Sequence, residues 1–160
     1  MEAARIAALR GHRVSLYEKE TELGAGQLHL AGVAPGKEKL KWVKPDLETQ
    51  LRKLPVELHL GVEVNRGMVE KLAPEVLIVA TGARPVQPNI PGFVGASRPV
   101  GTAPLHTAHD VLSGKAQVQG KRVVVLGGWQ TGCETAEYLA SQGYSVTIVA
   151  RSSPVQMAGD

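Results

Sequence analysis

"KRVVVLGGWQTGCETAEYLASQGYSVTIVARS", residues 121–152, decides how the rest of the chain is read. Its "VVVL" is an apolar run of strand length, bounded by a basic pair and by glycines. "GGWQTG" at 127–132 is a glycine turn, and "CETAEYLASQ" at 133–142 continues it as a helix. Gly143 closes that helix, and "YSVTIVA" returns to strand composition. Strand, turn, helix and strand in this order belong to α/β proteins.

Working outward, residues 133–151, "CETAEYLASQGYSVTIVAR", lie without a gap over residues 1–19, "MEAARIAALRGHRVSLYEK", 132 positions earlier. Glu134 falls on Glu2, Ala136 on Ala4, Ala140 on Ala8, Gly143 on Gly11 and Val146 on Val14. Thr147 faces Ser15, and Ile148 faces Leu16. Both segments share one design: a helix with small residues, a glycine exit and a buried strand. Amphipathic units converge by chance, but the gapless register and the shared glycine favour an internal repeat. The later copy is preceded by a strand and a glycine turn, and its Gly132 falls just ahead of Met1. The repeat therefore predicts a matching strand and turn upstream, and a chain that is a piece of a longer polypeptide.

Between the copies, "TELGAGQLHLAGVAPG" (21–36) has glycines and little periodicity, and reads as loop. "KEKLKWVKPDLETQLRKL" (37–54) reads as helical with a break before Pro45, whose ring disfavours helix at the preceding residue. Leu47, Leu51 and Leu54 keep helical spacing beyond it. "PVELHLGVEVN" (55–65) alternates Val56, Leu58, Leu60 and Val62, the period of a strand. A short helical turn at 68–72 precedes "EVLIVATG" (75–82), an apolar strand ending in Thr-Gly. Residues 83–104 hold five of the ten prolines and read as an extended connection. "TAHDVLSGK" (107–115) is a short helix with an exit glycine. The organisation expected is a first unit over 1–95 and the first half of a second over 96–160.

Composition narrows the function classes. Hydrophobic residues at 43% and charged residues at 21% are those of a globular protein. The charge of +3 is mild, its basic residues are scattered, and aromatics are only 4%, which argues against a nucleic-acid partner. Glu2 stands where a secretory signal would be basic, and "VLIVA" (76–80) is far short of the ~20 residues of a membrane span. The lone Cys133 excludes an internal disulfide and a C-x-x-C redox pair. A cytoplasmic protein without a membrane partner is expected.

A dinucleotide-binding unit makes three demands on its glycines. The first permits a tight turn, the second lets backbone approach the pyrophosphate, and the third lets helix pack on strand. The helix N-terminus then holds the phosphates. An acid ending the second strand hydrogen-bonds the ribose hydroxyls, and Glu18 fits that position beside Lys19. In the second copy Gly127 and Gly132 match the outer glycines, while Trp129 replaces the middle one within Gly127, Gly128, Trp129, Gln130, Thr131 and Gly132. A side chain there projects where backbone should meet pyrophosphate, unless the loop is re-aimed and Gly128 takes over. Ala150 and Arg151 stand where the first copy has Glu18 and Lys19, and an arginine in place of the acid favours NADP over NAD. The bland alternative is that this half binds ADP-like fragments or nothing.

Two linked units, an "ATG" after an apolar strand and a proline-rich connection together resemble two-dinucleotide-binding-domain flavoproteins. "MEAARIAALRGHRVSLYEKETELG", "GQLHLA", "PGKEKL" and "VLIVATGARPVQPNIPG" most resemble the C-terminal region of the 2,4-dienoyl-CoA reductase and trimethylamine dehydrogenase group. The resemblance covers essentially the whole chain. It implies an α/β fold of two Rossmann-like dinucleotide-binding units, both incomplete in this chain. It also implies FAD in the first unit (or only ADP, as in trimethylamine dehydrogenase) and NADPH in the second. By position, Glu18 resembles the acid on the adenosine ribose, with Lys19 its neighbour. Gly26 and Gln27 resemble the segment running along the flavin, although Gly24-Ala25-Gly26 replaces the family's adjacent glycines. Val64 resembles the residue whose backbone meets the adenine, and Ala80, Thr81 and Gly82 the segment closing over the dinucleotide.

The resemblance further implies an old-yellow-enzyme-like barrel carrying FMN and a 4Fe-4S cluster in the rest of the parent subunit, and a parent that forms a homo-oligomer. Hydride would pass from NAD(P)H to FAD and on to that barrel, which leaves the isolated chain inactive. The rival reading is a non-catalytic nucleotide-binding domain, favoured by Trp129. A disulfide reductase of the same fold needs two cysteines, and these residues hold one. His106 and His109 form H-x-x-H on a short helix, for which no metal site is expected, and Cys133 reads as a small packing residue.

Overall fold

The computed structural model describes residues 1–86, 103–151 and 153. It divides into two units: Met1–Gly32 with Glu38–Ala83, and Val33–Lys37 with Arg84–Asp160. The boundary expected between residues 95 and 96, with most of the proline-rich connection, lies outside the described residues.

The first unit runs α1 (Glu2–Leu9), β1 (Val14–Glu18), α2 (Gln27–Ala31), α3 (Leu40–Arg52), β2 (Val56–Leu60) and α4 (Arg66–Leu72). β1 and β2 are parallel, with Val14 opposite Val56 and Glu18 opposite Leu60. α1 packs on both strands and on α3, where its alanines permit close approach. Leu51 of α3 is fully buried, with Ala8 and Leu23 also in the core.

Four sequence expectations change here. Residues 21–36 are not all loop, because "QLHLA" forms α2; its packing against α3 holds a helix too short to stand on propensity. Pro45 does not break α3, which runs through it from Leu40 to Arg52. The ring removes one ladder hydrogen bond, but contacts with α1 and α2 and the burial of Leu51 keep the helix whole. β1 is half-buried rather than buried, with Ser15 exposed. Residues 75–82 form no strand: Val76, Leu77, Ile78 and Val79 are 56–74% exposed, and the two described sheets pair only β1 with β2 and the two strands of the second unit. β-propensity expresses itself through cross-strand packing, which this segment does not find among the described residues.

The second unit contains α5 (Ala108–Leu112), β3 (Arg122–Leu126), α6 (Gln130–Ser141) and β4 (Ser145–Val149). β3 and β4 are parallel, Arg122 opposite Ser145 and Leu126 opposite Val149. α6 packs on both strands and on α5. Leu139 is fully buried, and Thr135, Ala136 and Leu112 join it. Thr107 caps α5, its hydroxyl oxygen accepting the Asp110 N–H at 3.1 Å.

The internal repeat recurs in hydrogen bonds. Gly11 donates to Ala8 O at 3.0 Å and His12 to Ala7 O at 3.1 Å, while Gly143 donates to Ala140 O at 2.9 Å and Tyr144 to Leu139 O at 3.2 Å. Both exit glycines are left-handed, with φ of +86° and +84°. A Cβ-bearing residue is strained there, so the same residue type ends both helices for the same reason.

Candidate functional site

The glycine turn of the second unit is built from the end of β3. Gly127 takes φ +113° and donates to Val149 O at 2.9 Å, so the chain leaves the ladder only after it. A Cβ at Gly132 would stand 2.1 Å from the Gly127 carbonyl oxygen, a distance no side chain tolerates. These two glycines therefore meet the demands for a tight turn and for close helix–strand packing.

Trp129 between them has an ordinary extended backbone, φ −79° and ψ 175°, as the residue preceding α6. Its side chain makes no capping hydrogen bond and is 65% exposed. The Cys133 thiol donates to Gly128 O at 3.3 Å, which turns that carbonyl toward the helix. Among the described residues no side chain caps the N–H groups that open α6 at Gln130, Thr131 and Gly132, and such groups suit a phosphate. Beyond β4, Ala150 is followed by an exposed Arg151.

In the first unit Glu18 ends β1, and its Oε1 accepts the Glu20 N–H at 3.1 Å. No other hydrogen bond to its carboxylate forms among the described residues. Lys19 is exposed, with its Nζ 3.7 Å from Glu20. Gly26 precedes α2 and Gln27 begins it; the Gln27 amide donates to Ala83 O at 3.0 Å. Gly82, at φ +80°, lies against the same side chain, so Gln27 is joined to the Ala80–Thr81–Gly82 segment rather than standing apart from it. Val64 is 40% exposed, one residue ahead of Asn65, whose side chain caps α4 by accepting the Met68 N–H at 3.0 Å.

Glu18 offers an acceptor at a strand end, and the Gly127–Gly132 approach leaves backbone where a phosphate can come close. Two pairs were not legible from spacing. Lys37 forms an ion pair and hydrogen bond with Glu134 of α6, within the second unit. Lys44 of α3 donates to Glu22 at 2.7 Å, and that hydrogen bond holds the Glu22 carboxyl below its ordinary pKa. Among the described residues no group of three potential ligands could hold a metal ion, and no helix is long and apolar enough to cross a membrane.

Residues 1–159 match the pyridine nucleotide-disulphide oxidoreductase family. The chain belongs to that family. The NADH oxidase of Thermoanaerobacter brockii is 44% identical over 156 residues, which are 97% of this chain and 23% of that protein. The bilirubin reductase of Mediterraneibacter gnavus is 41% identical over 149 residues, 93% of this chain and 22% of that protein. Among solved structures, a 2-naphthoyl-CoA reductase superposes with TM-score 0.75 at 34% identity, covering 92% of this chain and 21% of that one. The histamine dehydrogenase of Rhizobium sp. 4-9 superposes with TM-score 0.78 at 25% identity, covering 95% and 24%. The chain thus spans less than a quarter of the length of these relatives.

Pyridine nucleotide-disulphide oxidoreductases are Rossmann-like proteins that bind FAD and NAD(P), and this chain is that region of the 2,4-dienoyl-CoA reductase and trimethylamine dehydrogenase group. The disulphide in the family's name has no counterpart within these residues, where Cys133 is the single cysteine.

Proposed function

We propose that this chain is the nucleotide-binding part of an NAD(P)H-dependent flavin oxidoreductase, in which hydride passes from NAD(P)H to FAD and electrons continue to an FMN and 4Fe-4S barrel elsewhere in the parent subunit. The observation that carries the reading is the Gly127–Gly132 approach, which admits no side chain and opens α6 with uncapped N–H groups. Gly127, Gly128, Gln130, Thr131 and Gly132 hold the nicotinamide cofactor's pyrophosphate in this reading. Glu18 accepts from the adenosine ribose of FAD, with Lys19 beside it. The backbone at Val64 meets the adenine, and Gly26, Gln27, Ala80, Thr81 and Gly82 line the rest of the FAD path.

The FAD unit covers residues 1–95 and the nicotinamide unit begins at 96. Ala150 and Arg151 support NADP, since the arginine can accept a 2′-phosphate where an acid would discriminate for the free hydroxyl. The name of the Thermoanaerobacter relative points toward NADH instead, so the preference is a test of Arg151. The parent is a cytoplasmic homo-oligomer in this reading, and the isolated chain is inactive without the barrel.

Anaerobic titration of the full-length parent tests the proposal. NADPH is expected to bleach the flavin absorbance, with NADH weaker. Failure of both nicotinamides to bleach it would overturn the hydride-transfer reading and leave a non-catalytic FAD- or ADP-binding domain.

A further inference from the structure

Within that reading of the second unit, Trp129 replaces a glycine with the largest side chain available, and the turn does not suffer for it. The close approach in the turn is made between Gly127 and Gly132, not at residue 129. The backbone of Trp129 is extended, a conformation that any residue adopts, so nothing in the fold requires glycine there. The indole itself is 65% exposed. The described stack and cation–π contact involve Tyr17 with His59 and Lys121 with Tyr144, and among the described residues Trp129 makes no ring contact.

Among the described residues the helix that follows also has no side-chain cap. Asn65 and Thr107 cap α4 and α5 with side-chain oxygens, whereas α6, which is longer than either, has an indole in that place. A polar side chain there ordinarily stabilises the helix. The chain thus sets a large exposed aromatic face one residue from the N–H groups that open α6. Donors for a phosphate beside a surface for a flat ring are the two halves of a nucleotide's chemistry.

We infer that Trp129 is a binding determinant of the nicotinamide-nucleotide site, its indole stacking on a ring of the bound dinucleotide instead of obstructing it. Stacking and obstruction predict opposite signs. In the full-length parent, Trp129→Ala and Trp129→Gly should weaken NADPH binding about tenfold, the scale of one base–aromatic stack. Trp129→Phe should recover most of that loss. NADPH should also quench tryptophan emission in the wild type, and that quenching should shrink in Trp129→Phe. Quenching by ADP-ribose 2′-phosphate would assign the stack to the adenine; quenching only by the full dinucleotide would assign it to the nicotinamide. Unchanged or tighter NADPH binding in Trp129→Gly would overturn the inference while leaving the nicotinamide site in place. If neither the wild type nor any variant binds NADPH or NADH, the reading of the second unit as a nicotinamide site fails, and the inference fails with it.

Discussion

A methyl group at Gly132 would meet the Gly127 carbonyl oxygen at 2.1 Å, so even the smallest side chain must push α6 away from β3. Gly132→Ala is predicted to destabilise the protein by about 1–3 kcal/mol, as overpacking does, and to weaken nicotinamide binding. Thermal unfolding and NADPH titration measure the two effects. Glu18 calls for a pair of variants. Glu18→Gln keeps an oxygen for the Glu20 N–H but loses the charge, whereas Glu18→Ala loses both. FAD affinity of the parent should fall about tenfold or more in each, since a hydrogen bond to a charged acceptor is worth roughly 1.5–3 kcal/mol. Equal FAD retention in wild type and Glu18→Ala would remove Glu18 from the site. The close approach of Gly132 to Gly127 and the place of Glu18 at the end of β1 were legible because each follows from spacing within its own local unit. Lys37 and Glu134 were not, because they are 97 positions apart and follow no local pattern. Gln27 stood out by resemblance, yet its hydrogen bond to Ala83 could come only from the fold.

At the scale of elements, the strongest sequence signals came from glycine exits and the weakest from isolated apolar runs. Gly11 and Gly143 mark helix ends that the structure reproduces with matching hydrogen bonds. "EVLIVATG" has the composition of a strand and is not one among the described residues, because a strand is a property of a pair. Pro45 misled in the other direction: tertiary contacts outweighed its local preference. Pro45→Ala should therefore stabilise α3 by about 2 kcal/mol, the restored helix propensity less the freedom gained by the unfolded chain. An unchanged or lower unfolding temperature would contradict this. Lys44 ties α3 to Glu22, and its hydrogen bond lowers the Glu22 pKa. A depressed folded pKa adds stability above the carboxyl's unfolded pKa, and that stability is lost as pH falls through the folded value. The stability difference between wild type and Glu22→Gln should thus be present near neutrality and close in acid, measured by thermal unfolding across a pH series. It should be small, because the pair is exposed to solvent and salt.

For the whole molecule, the repeat was the most informative feature of the sequence, since it related two units without reference to any other protein. The apolar "VVVL" run reads as a strand without showing which of its faces is covered. In the second unit Val124 and Leu126 remain 62% and 48% exposed, while Val123 and Val125 are half-buried. Such faces were not resolvable from the run, which is apolar at every position. The central claim is that the first unit holds FAD and the second a nicotinamide nucleotide, in a larger flavin oxidoreductase. The most direct test is mass spectrometry of the nucleotide released when the purified full-length parent is denatured. The account predicts FAD in addition to FMN, in a ratio near one to one. Release of ADP without FAD, or of no adenine nucleotide at all, would contradict it.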